Sequence, residues 1–86
     1  MYKNRAKDGS CNICGKRVAE LRKALTPRTS QNDISHELQL MSIDLDKNAI
    51  QRIEAGKRFV TDIELRGLAK IFGVTTDSLL NEDSLD

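Results

Sequence analysis

Aromatic side chains are nearly absent from this chain. It has no Trp, one Tyr and two Phe in 86 residues, so any core must be built from Leu, Ile, Val and Ala. Proline is as scarce, with Pro27 alone, and the glycines are well spaced, which suits helices. Long apolar runs are missing too. None approaches the roughly 20 residues that cross a bilayer as a helix. The basic N-terminal MYKNRAKDGS is followed by no apolar stretch of the kind a signal peptide needs. A cytoplasmic setting is therefore expected, with Cys11 and Cys14 as thiols rather than a disulfide. Catalytic parts are lacking as well. His36 is the single histidine, amid polar residues where it is expected at the surface, and the acids are spread rather than paired. No Ser-His-Asp set can be assembled, and the glycines form no phosphate-binding loop. The expectation is a protein that is not an enzyme and needs no cofactor.

A chain of this length fits one domain and buries only about 60–65% of the surface it exposes when unfolded. Its formal charge is +1, which by itself points to no partner. The distribution says more. Residues 1–28 hold eight basic and two acidic side chains, a net of +6, and residues 29–86 hold six basic and eleven acidic ones, a net of −5. A chain polarised in this way can turn a basic face to an anion while remaining nearly neutral.

Five helices can be read from caps and apolar spacing. Residues 1–11 have no apolar period and read as a flexible arm. Asn12 is a good N-cap for the first helix, with Val18, Leu21 and Leu25 on its inner stripe and Pro27 closing it. Ser30, with Asp33 three residues later, opens a second helix that places Ile34 and Leu38 inward and runs to about Met41. The segment SIDL then reads as a connection. Asp46 caps the third helix, which ends near Gly56, a plausible C′ residue. Thr61 and Glu64 form a capping box for the fourth; its inner face is Leu65, Leu68, Ala69 and Phe72, and Gly73 ends it. Thr75 or Thr76 caps a short fifth helix whose Leu79 and Leu80 are expected to cover the bundle. Residues 12–80 thus read as one all-α, five-helix bundle, and 81–86 as an acidic tail.

Two charges fall on inward faces. At 3.6 residues per turn Arg22 lies between Val18, Leu21 and Leu25, and Glu54 lies beside Ile50 and Ile53. A bare buried charge costs several kcal/mol, so an ion pair between Arg22 and Glu54, tying the first helix to the third, is expected.

The third helix has a polar face to account for. With Ile50 at zero and about 100° per residue, Ile53 and Glu54 fall within about 60° of it, while Asn48 and Arg52 fall about 160° away and face straight out. Gln51 and Ala55 flank them and Lys47 stands at the N-terminal tip. Amides can bond adenine twice, and Arg can do the same to guanine O6 and N7. Lys47, Asn48, Gln51 and Arg52 are therefore candidate DNA base readers. Gln31 and Asn32 start the preceding helix, where free N–H groups favour a phosphate. Lys57 and Arg58 follow the third helix and could grip phosphate next door. Anchor helix, connection, reading helix and basic loop make a helix-turn-helix order.

From about Asn12 to Leu80 the pieces GKRVAELRKAL, SQNDISHEL, NAIQRIEAGKR, VTDIEL and LAKIFGVTTDSLL resemble the Cro/CI-type, or Xre, helix-turn-helix family of phage repressors and bacterial transcription regulators. The resemblance implies a lambda-repressor-like DNA-binding domain whose third helix enters the major groove. It implies homodimers on palindromic double-stranded DNA operators. It implies Lys47, Asn48 and Arg52 as base readers, Gln31 on phosphate, and Arg22 with Glu54 as a family ion pair. The chain departs from the family in a small insertion at TPRT and in an elongated connection between the second and third helices, where QLMSIDLD fills the place of a short turn. Leu40, Met41, Ile43 and Leu45 are expected to pack that connection against the core; alternatively, some of them stay exposed as a dimer patch. A second reading is a protein-interaction module on the same fold, of antitoxin or anti-repressor type, that binds through the apolar connection and the acidic tail.

CNIC has the C-x2-C spacing of a zinc half-site, but a structural site needs four ligands. Only Cys11, Cys14 and His36 are on offer within one chain, so four thiolates would require two chains. The plainer expectation is no metal, with Cys14 as a small apolar residue near the start of the first helix and Cys11 incidental.

Overall fold

In the computed structural model the described residues are 9–81, and they form five helices with no strand among them: α1 (Gly15–Ala24), α2 (Gln31–Leu40), α3 (Lys47–Glu54), α4 (Asp62–Phe72) and α5 (Thr76–Leu80). No helix of the described residues is long and apolar enough to cross a membrane. Helices α1 and α2 each pack against both α3 and α4, and α5 packs along α4. Val18, Ile34, Leu38, Ile50, Ile53 and Leu68 are completely buried, joined by Cys14, Leu45, Ala69 and Leu79. At about 1.5–3 kcal/mol for each large aliphatic side chain taken from water, this all-aliphatic set carries the fold. Leu65 and Phe72 pack at its margin. Leu79 covers the bundle, but Leu80 is exposed: α5 has only five residues, and its one buried position takes the first leucine.

Four of the helix starts are set by local side chains. Ser30 and Asp33 close a reciprocal capping box on α2, as Thr61 and Glu64 do on α4, and the side chains of Asp46 and Thr75 accept from Ala49 N and Ser78 N. The first helix behaves differently. It begins at Gly15, with Cys14 at the cap position, not at Asn12. Asn12 still accepts the Gly15 N–H, but its amide is drawn away to carbonyls of Ile53 and Arg58.

The ends of α2 and α3 determine how the third helix is presented. Gly56 (φ 74°) follows α3; its N–H donates to Ile53 O, and Lys57 N donates to Arg52 O. That is a Schellman stop, which needs a left-handed residue at its turn. The same pair of bonds ends α2, from Ser42 N to Gln39 O and from Ile43 N to Leu38 O, with Ser42 in the left-handed position (φ 64°). The long connection then folds inward. Leu45 is buried and its carbonyl accepts from the Ser35 hydroxyl, which is buried within α2. Ile43 is partly buried against α4, where a Cβ on Gly67 would meet its Cδ1 at 2.5 Å. Leu40 and Met41 stay exposed. The connection thus divides: its second half is core and its first half is surface.

Of the expected arm at 1–11, residues 1–8 lie outside the described residues, as do residues 82–86 of the expected tail. Ser10 and Cys11 are not loose. Cys11 N donates to Gly56 O at 2.8 Å, and a Cβ on Gly56 would come 2.9 Å from Ser10 Cβ.

Candidate nucleic-acid interface

Helix α3 rests on Ile50 and Ile53, both fully buried, and its outer side is set by that anchoring. Lys47, Asn48, Gln51 and Arg52 are all exposed. None of their side chains has a hydrogen bond or ion pair with another described residue. Ala55 is exposed beside them. The side presented to solvent therefore carries two amides and two cations and no carboxylate. Such a set can donate to and accept from base edges in a groove.

The inner edge of α3 is held by Glu54. Arg22 donates to it through Nε (2.7 Å to Oε2) and Nη2 (3.0 Å to Oε1), a fork geometry suited to carboxylate. Arg22 Nη1 also donates to Thr29 O at 3.2 Å, which ties the α1–α2 loop to the same pair. The two side chains are 14% and 8% exposed, so the bridge is nearly dry. Burial alone would push the Glu54 carboxyl up. The hydrogen bonds from Arg22 and Gln31, with the charges of Arg22 and Lys23, outweigh it and hold Glu54 below the ordinary carboxylate value.

Two residues expected on phosphate are otherwise engaged. Gln31 is half-buried and its Nε2 donates to Glu54 Oε1 at 3.0 Å, because Glu54 has an oxygen within reach of the start of α2. Arg58 turns back onto α4: Nη1 and Nη2 lie 2.9 and 3.2 Å from the two Glu64 oxygens. Burial would raise the Glu64 carboxyl, but Arg58 and the Thr61 cap together lower it. Asn32 and Lys57 are exposed, and their side chains have no described partner. Of the cations expected to meet DNA, Lys47, Arg52 and Lys57 are thus open to solvent.

Two features of this region are not evident from the sequence. The Arg58–Glu64 clasp is masked because Glu64 also serves as a capping residue; a carboxylate six residues after an arginine across a turn is its one signal. The role of Asn12 at the far end of α3 had no local signal. Cys14 lies in the core, 1% exposed, and burial pushes its thiol up, away from the thiolate form that binds metal. Among the described residues no cluster of His, Cys, Asp and Glu could hold a metal ion. His36 is exposed on α2.

Comparisons with protein-family models, with curated proteins and with solved structures return no match for this chain.

Proposed function

We propose that this chain is a sequence-specific double-stranded DNA-binding protein of the cytoplasm, a transcriptional regulator of repressor type, with α3 as its major-groove helix. The observation that carries the reading is the outer side of α3. Lys47, Asn48, Gln51 and Arg52 face solvent unpartnered, while the same helix is fixed from behind by Ile50, Ile53 and the Glu54 bridge. The helix backbone is already fixed and no internal hydrogen bond has to break, so the cost of meeting base edges is the ordering of these side chains, about 0.5–1.5 kcal/mol each. The motif resemblance to Cro/CI-type regulators supports the same reading and adds a homodimer on a palindromic operator. No cofactor is required for it.

The test is selection of bound duplexes from a random pool, followed by titration of the winner. Arg52→Ala and Asn48→Ala are each expected to weaken the selected site by about 1–3 kcal/mol and to relax preference at one base position. Unchanged base preference in Arg52→Ala would remove the base-reading assignment.

A second reading, an interaction module on the same fold, is favoured by Leu40 and Ile63, which stand 72% and 67% exposed. A gel shift with random duplex at low salt separates the two. An interaction module shows no affinity there, whereas a DNA reader binds nonspecifically through phosphate.

A further inference from the structure

The exit of α3 is held by a short segment from the other end of the domain. Cys11 N donates to Gly56 O at 2.8 Å. Asn12 Nδ2 donates to Ile53 O at 3.1 Å and to Arg58 O at 2.7 Å, while its Oδ1 accepts the Gly15 N–H at 2.8 Å. Gly15 lies so close to α3 that a Cβ there would sit 2.0 Å from Ile53 O. On the opposite flank, Arg58 clasps Glu64. Lys57 stands between these anchors, exposed and without a described side-chain partner. Its backbone is fixed on both sides and only its ammonium arm is free. A cation on a fixed turn loses less freedom on binding an anion than one on a loose loop.

We propose that Asn12 is a positioning residue for DNA: it holds the 56–58 turn so that Lys57 reaches a backbone phosphate of the duplex that α3 reads. This deepens the DNA-binding reading and rests on it. One neutralised phosphate contributes about 0.9 to the log–log salt slope, which corresponds to about eightfold in affinity at about 0.1 M salt. Asn12 makes no phosphate contact in this scheme, so its removal acts only through Lys57.

The experiment is a salt titration of a random-sequence duplex by the full chain, as wild type, Asn12→Ala, Lys57→Ala and the double variant, with circular dichroism to establish folding. Each single variant is expected to lower the slope by about 0.9 and the affinity at about 0.1 M salt by about eightfold, and the double variant to lose no more than either. A merely structural Asn12 would instead reduce the folded fraction, a loss independent of salt that adds to that of Lys57→Ala. Asn12→Ser keeps an acceptor for the Gly15 N–H but is too short to span both carbonyls. It is expected to match Asn12→Ala and replaces it if the alanine variant does not fold. A wild-type slope in a folded Asn12 variant, additive losses, or failure of both variants to fold would each overturn the proposal. A wild type with no affinity for the duplex removes the DNA-binding reading itself; a wild type that binds alongside an unaffected Asn12 variant removes only the role of Asn12.

Discussion

Glu54 gathers three donors, two from Arg22 and one from Gln31, and so joins α1 and α2 to α3 at one point. Removing its charge leaves the guanidinium of Arg22 nearly dry and facing a neutral amide. Glu54→Gln is therefore expected to lower stability by about 3 kcal/mol, a drop in melting temperature of roughly 12–24 °C for a domain of this size. The acid limb of stability has the same origin. Glu54 and Glu64 both titrate below their ordinary 4.5 in the folded protein. A carboxyl lowered in this way stabilises fully above its unfolded pKa, and that contribution disappears as pH falls through the folded one. Urea midpoints should stay flat from neutral pH down to about pH 5 and decline below it, and Glu54→Gln should remove part of the decline. The inward Arg22 and Glu54 were legible from helical angles alone. The diversion of Gln31 and Arg58 was not, because each partner, Glu54 and Glu64, is delivered by a different helix.

Among the elements, most boundaries were legible, and the exceptions were the start of α1 and the left-handed residue that stops α2. A cap is written within four residues, as in Ser30 with Asp33 or Thr61 with Glu64, and it forms whatever the rest of the chain does. The end of α2 carries no such mark. Ser42 occupies a left-handed position that glycine usually fills, and composition does not distinguish that serine from any other loop residue. A side chain in that conformation costs about 1–2 kcal/mol, against about 0.5–1 kcal/mol for the extra unfolded freedom of glycine. Ser42→Gly is thus expected to stabilise by about 0.5–1 kcal/mol, read as a higher urea midpoint at unchanged slope. The start of α1 is displaced for a related reason: the amide of Asn12 bonds carbonyls 41 and 46 residues away.

At the scale of the whole molecule, the long α2–α3 connection decides whether α3 is held firmly. Leu45 is 1% exposed and belongs to the same core cluster as Ile34, Leu38 and Ile50. Leu45→Ala should cost about 2–5 kcal/mol, a large part of the roughly 4–13 kcal/mol expected of a chain this size, and chemical unfolding would measure it. The apolar periods and caps along the chain by themselves determined five helices, their inner faces and the outward side of α3, because each depends on neighbours within a turn or two. Whether Leu45 entered the core while Leu40 stayed in water, which cations stayed free, and what held the exit of α3 were decided only by tertiary structure. Those outcomes depend on distances between helices, and such distances exist only once the chain has closed on itself.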